Sequence, residues 1–225
     1  MVTGAGSGFG AGIAERFAQE GAKIMVADID PKAAETCATP LSGAKFFKVD
    51  VSKDHQVKAL TDATLEAFGW IDILVNNAGI AQVNHPMLNV DEAAFDRLFA
   101  VKVKSICLTA KHMVPHIIGR QGNIINIAST GAVSPRAGLT WFNSTKSAVK
   151  TLTRSMAMDL APERVRVNAI NPVFGATGLT VDFMGGVDDP EIRENLSPPS
   201  LWDAYQPPST LPTPPYSLPQ MRPVL

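Results

Sequence analysis

Short apolar runs of strand-forming residues alternate with amphipathic stretches along most of this 225-residue chain. The runs at 23–27, 45–49, 71–75, 123–127 and 165–170 read as strands, and several of them are nearly continuous in apolar character. Such runs suit parallel strands covered on both faces. Between them, 11–20 is helical in pattern and stops at Gly21, a plausible glycine just past a helix end. Segment 52–68 opens on Ser52, expected as an N-cap, and stops at Gly69; 91–116 and 143–160 are longer helical patterns. Strand and helix in alternation imply βαβ units with right-handed crossovers, hence an α/β fold with a doubly wound parallel sheet of Rossmann type.

Composition divides the chain. Nine of the seventeen prolines fall between Pro198 and Pro223, a span with no glycine and only Asp203 and Arg222 charged. Regular helix or central strand is not expected there. The expected organisation is one domain, 1–195, followed by a disordered proline-rich tail, 196–225. A genuine linker or a ligand for proline-binding modules is the other reading of the tail. Twenty basic against twenty-one acidic side chains argue against a nucleic-acid or membrane-surface binder. No stretch approaches the roughly 20 apolar residues of a membrane span, and no secretory signal opens the chain. A cytoplasmic protein is the expectation. Cys37 and Cys107 are expected as buried thiols, and His55, His85, His112 and His116 form no metal-binding spacing, so no metal is expected.

The segment Thr3-Gly-Ala-Gly-Ser-Gly-Phe-Gly10 opens the first helix. Glycines allow a tight turn and let backbone amides approach a pyrophosphate, whose charge a helix N-terminus favours. Gly4, Ser7, Gly8, Phe9 and Gly10 are therefore candidate cofactor contacts. A flexible loop would also explain the glycines, and their spacing is not the usual GxGxxG. Asp28 ends the second strand eighteen residues after Gly10. A carboxylate there can bind the adenosine ribose and repels a 2′-phosphate; no basic residue stands at Ser7 or Ile29 to attract one. NAD is expected over NADP. A methyltransferase could use the same two features.

Four further segments follow in order: Asp50-Val51, Asn76-Asn77-Ala78-Gly79, Ile127-Ala128-Ser129, and Asn171-Pro172-Val173 followed by Thr177. With the glycine loop, this ordered set resembles the short-chain dehydrogenase/reductase family over roughly 1–195. The resemblance implies an NAD(P)-dependent oxidoreductase moving a hydride between nicotinamide and an alcohol or ketone, and commonly a dimer or tetramer. It assigns Asp50 and Val51 to adenine, Asn77, Ala78 and Gly79 to the cofactor border, and Pro172 and Thr177 to nicotinamide and phosphate. It makes Ser129 the residue that orients the substrate oxygen and Lys146 the one that holds the nicotinamide ribose. The family's acid/base tyrosine is replaced by Phe142, which has no hydroxyl to exchange a proton. Its helix asparagine is replaced by Lys102, whose charge is expected to perturb Lys146 through like-charge repulsion. The catalytic set to examine is thus Ser129, Phe142, Lys146 and Lys102.

Both ends depart from the resemblance. Only Met1 and Val2 precede the glycine loop, so the central strand is expected to be largely missing, leaving its neighbours with unpaired backbone groups at about 1–3 kcal/mol each if buried. The expectation is a start further upstream. Shifted by one base, codons for 200–225 can encode a stretch similar to the family's usual C-terminal segment, so a lost reading frame between Asn195 and Ser200 is expected. Three functional readings follow: an impaired NAD-linked enzyme, a non-catalytic dinucleotide-binding protein, and the product of a decayed gene.

Overall fold

The computed structural model describes residues 1–173. Six strands form one sheet: β1 (Val2–Thr3), β2 (Met25–Asp28), β3 (Lys45–Lys48), β4 (Ile73–Asn76), β5 (Asn123–Ile127) and β6 (Arg166–Ile170). Their order is β3-β2-β1-β4-β5-β6, and every neighbouring pair is parallel. Helices α1 (Gly8–Gln19), α2 (Pro31–Ala38), α3 (Asp54–Phe68), α4 (Glu92–Phe99), α5 (Ser105–Ile117) and α6 (Thr140–Leu160) supply the crossovers. This is the doubly wound sheet that the alternation predicts.

Side chains of β2 alternate between two apolar layers, as the two-residue strand period requires. Val26 joins Val2, Ala14, Ile24, Ala34 and Val75 on the side of α1 and α2. Met25 and Ala27 join Val57, Leu60, Leu74, Met113 and Ile117 on the side of α3 and α5. A buried polar chain crosses the second layer. Asn76 Nδ2 donates to Asn126 Oδ1 at 2.8 Å, Thr109 Oγ1 to Asn76 Oδ1 at 2.9 Å, and Asn126 Nδ2 to Thr153 Oγ1 at 3.0 Å. It ties β4 and β5 to α5 and α6, and so fixes the elements that carry the site.

The expected gap at the sheet centre is not there. Val2 pairs with Val26 of β2 and with Val75 of β4. The Met1 amino group donates to the Ile73 carbonyl at 2.9 Å, and Val75 N–H donates to the Met1 carbonyl at 3.0 Å. Two strand residues suffice because the β4 backbone is met by Met1 and by the Thr3 hydroxyl, which donates to the Val75 carbonyl at 3.2 Å.

Other boundaries shift for identifiable reasons. Ser52 does not cap α3, whose N-cap is Lys53; its hydroxyl instead donates to Asp50 Oδ1 at 2.7 Å. The long pattern at 91–116 is broken between α4 and α5 by a wide π turn, Ala100–Lys104. Helix α6 starts three residues earlier than the pattern suggests, because Phe142 N–H finds an acceptor in Gln82 Oε1 at 2.9 Å. Gly21 and Gly69 close α1 and α3 with φ of 84° and 83°, as expected of glycine. Neither thiol is fully buried as expected: Cys37 is half-buried against the core on the α1 and α2 side, and Cys107 is exposed. The tail assigned to 196–225, and the end of the domain at 195, lie outside the described residues.

Candidate active site

All the cofactor and catalytic candidates among the described residues except Gly10 line one cleft of about 740 Å³ at the C-terminal ends of the strands. The cleft is bordered at one end by Gly4, Ser7, Gly8, Phe9, Asp28, Asp50 and Val51, and at the other by Ser129, Phe142, Lys146 and Pro172; Asn77, Ala78, Gly79 and Lys102 also line it. A doubly wound sheet opens such a crevice where the strand order reverses, here between β1 and β4. Thr177 lies outside the described residues.

At the glycine end, close approach explains the residue type. Gly4 has φ of 60°, and a Cβ on it would come within 2.6 Å of the Ala78 Cα. Gly10 sits behind the cleft, where a Cβ would collide with the Gly4 carbonyl and the Asn77 side chain. Asn77 staples this loop to β4, its Nδ2 donating to the Thr3 and Gly4 carbonyls at 2.9 and 2.8 Å. Asp28 Oδ2 accepts from Gly6 N–H at 2.8 Å and Oδ1 from Asp30 N–H at 3.0 Å. Each carboxylate oxygen keeps a lone pair for a further donor. Asp50 Oδ1 accepts from Ser52 N–H and Oγ at 2.9 and 2.7 Å. Partial burial raises the Asp50 carboxyl, but the Ser52 bonds and the charges of Lys53 and Arg97 outweigh it and hold the group below its ordinary value.

A loop whose glycines admit no side chain, the start of α1, and an acidic residue at the next strand end together fit a dinucleotide. The pyrophosphate would meet backbone N–H groups at the N-terminus of α1, and Asp28 would meet a ribose hydroxyl.

At the other end, Ser129 caps a short turn, Thr130–Ala132, its Oγ accepting from Gly131 N–H at 3.1 Å. That bond leaves the hydroxyl proton available to a ligand oxygen. Lys146 Nζ donates to the Ile127 carbonyl at 2.6 Å. Phe142 is 7% exposed, with Lys102 Nζ 4.5 Å and Lys146 Nζ 5.8 Å from its ring centroid. Among the described residues neither lysine has an ion-pair partner. Burial lowers Lys146 to about 8; burial first, and the Lys146 charge second, push Lys102 well below the ordinary lysine value. The two like charges therefore face each other across the Phe142 ring. Lys102 is the more deeply buried of the two, and burial there disfavours the ammonium form.

Sequence reasoning misses two contributors. Buried Gln82 bridges the cleft rim, its Nε2 donating to the Gly138 carbonyl at 3.1 Å while its Oε1 accepts from Phe142 N–H. Nothing in a lone loop glutamine signals partners 56 and 60 residues away. Asn143 lines the cleft and donates to the Arg136 carbonyl at 2.8 Å, and its Oδ1 has no partner among the described residues. Its place beside Phe142 could have pointed to it. Among the described residues there is no cluster of three or more potential metal ligands, and no helix is long and apolar enough to cross a membrane.

The family model described as short chain dehydrogenase matches residues 1–184. The chain is 42% identical over 201 residues to a 4-formylbenzenesulfonate dehydrogenase of Comamonas testosteroni, covering 87% of this chain and 80% of that one. It is 35% identical over 210 residues to the L-fucose dehydrogenase of Oryctolagus cuniculus, covering 92% and 74%. A solved 3-ketoacyl-(acyl-carrier-protein) reductase from Brucella melitensis, complexed with NADH, superposes with a TM-score of 0.80 at 43% identity, covering 81% of this chain and 78% of that one.

Proposed function

Since the chain belongs to the short-chain dehydrogenase family and is by that membership an oxidoreductase using a nicotinamide dinucleotide, we propose that it prefers NAD(H) and acts on an alcohol/ketone pair at the Ser129–Lys146 end of its cleft. The observation that carries this reading is the pairing of Asp28 with the glycine loop at one end of a cleft whose other end holds Ser129 and Lys146. When bound, the dinucleotide supplies or accepts the hydride. Lys146, fixed by the Ile127 carbonyl, holds a ribose hydroxyl; Ser129 donates to the substrate oxygen and orients it. Asp28 meets the adenosine ribose, and a 2′-phosphate there would face a carboxylate with no basic neighbour at Ser7 or Ile29. Balanced charge supports the absence of a nucleic-acid partner. A cytoplasmic location completes the reading.

Phe142 sets the level of activity. A positioned general acid/base contributes roughly 10²–10⁴-fold, and a phenyl ring supplies none. The chain as written is therefore a weak enzyme, and a dinucleotide-binding protein without turnover is the second reading that Phe142 favours. Phe142→Tyr discriminates the two. Assayed with a panel of sugar, aromatic and terpenoid alcohols and NAD, the variant is expected to gain at least about a hundredfold in kcat. Unchanged turnover, with cofactor binding intact, would remove Phe142 from the account of the reaction.

A further inference from the structure

We propose that Lys102 is an imine-forming lysine, its buried side-chain amine capturing small aldehydes and ketones that enter the cleft. This activity is separate from hydride transfer and needs no dinucleotide.

The geometry is that of a nucleophilic amine. Lys102 projects from the π turn Ala100–Lys104, is 4% exposed, and lines the cleft. Its Nζ lies over the face of Phe142, and a Cβ at Gly79 would stand only 3.1 Å from it, so the missing side chain there leaves room beside the nitrogen. No carboxylate pairs with it among the described residues. An ammonium buried without a counter-ion costs several kcal/mol, and the group sheds its proton instead. The charged neighbour acting on it is Lys146 of α6, while Asp28, Asp50, Lys53, Asp96, Arg97 and Arg136 line other parts of the cleft. A desolvated lysine beside a second cationic group is a known route to a reactive amine. Lys146 itself is less suited, because its Nζ is engaged by the Ile127 carbonyl.

The step balances without a redox partner. The Nζ lone pair adds to the carbonyl carbon and forms a C–N bond. The C–O bond then breaks, and the oxygen leaves as water with the two protons that the amine gives up. The product is a neutral imine on Nζ.

The test is reductive trapping on the full chain. The protein is incubated near neutral pH with benzaldehyde and sodium cyanoborohydride, digested, and each lysine's benzyl adduct is quantified by mass spectrometry. Each unit by which an amine's pKa falls raises its unprotonated fraction about tenfold. Lys102 is therefore expected to be labelled at least about tenfold faster than Lys104, its exposed neighbour on the same turn. As pH is lowered, the Lys104 adduct should fall first while the Lys102 adduct persists, a comparison that needs no variant. Lys102→Met should abolish the fast adduct and leave the slow ones unchanged. Labelling spread evenly over the lysines, dominated by Lys146, or absent at Lys102 overturns the proposal. None of these outcomes bears on NAD binding, so failure here is distinguishable from failure of the oxidoreductase reading.

Discussion

Phe142, Lys102 and Lys146 act as a group. The phenyl ring lies near both lysine nitrogens, and burial weakens both as bases. For Lys146 the consequence can be worked out with its sign. In the folded chain it titrates at about 8, against 10.5 for an ordinary lysine. Between those values the unfolded chain binds more protons than the folded one, so stability rises with pH across that window. Below about 8 both states hold the proton and the full cost of the buried charge remains. Urea midpoints measured across the window should climb for the wild-type chain relative to Lys146→Met; parallel curves would mean that Lys146 is solvated in the folded state. That Ser129 and Lys146 would line one cleft was legible in the sequence because each sits in a compact local motif. The burial of both lysine nitrogens against one phenyl ring was not, because it depends on how the π turn and α6 pack.

Strands β2, β4 and β5 could be read directly from their apolar runs, since burial on both faces imposes a pattern that survives in one dimension, while the mostly exposed edge strands β3 and β6 showed through their Phe and Val residues. β1 could not, because two residues carry no periodicity. It holds through hydrogen bonds that the pattern does not record. The Thr3 hydroxyl donates to the Val75 carbonyl and accepts from Asn77 and Ala78 N–H, both at 3.1 Å. Thr3→Val keeps the shape and removes all three contacts, orphaning buried backbone groups. It should cost about 1–3 kcal/mol in urea unfolding and weaken dinucleotide binding, because Asn77 and the glycine loop hang from the same junction. A loss below about 0.5 kcal/mol, the lower end for a single hydrogen bond, would mean that solvent replaces these bonds. The π turn was equally hidden. Its residues continue a helical pattern, and the extra residue that swings Lys102 into the cleft has no signature of its own.

In the molecule as a whole, the strand order brings residues far apart in sequence to one crevice. Gly4 and Asp28 enter from one half of the sheet, Ser129 and Lys146 from the other, and β1 and β4 form the seam. The central claim is that this crevice is an NAD(H) site selected by Asp28. It is tested most directly by titrating the 225-residue chain with NADH and NADPH under identical conditions, following energy transfer from protein tryptophan to the reduced nicotinamide. The account predicts saturable binding of NADH at least about tenfold tighter than NADPH, a difference of about 1.4 kcal/mol. Equal or tighter binding of NADPH, or no saturable binding of either, would contradict it.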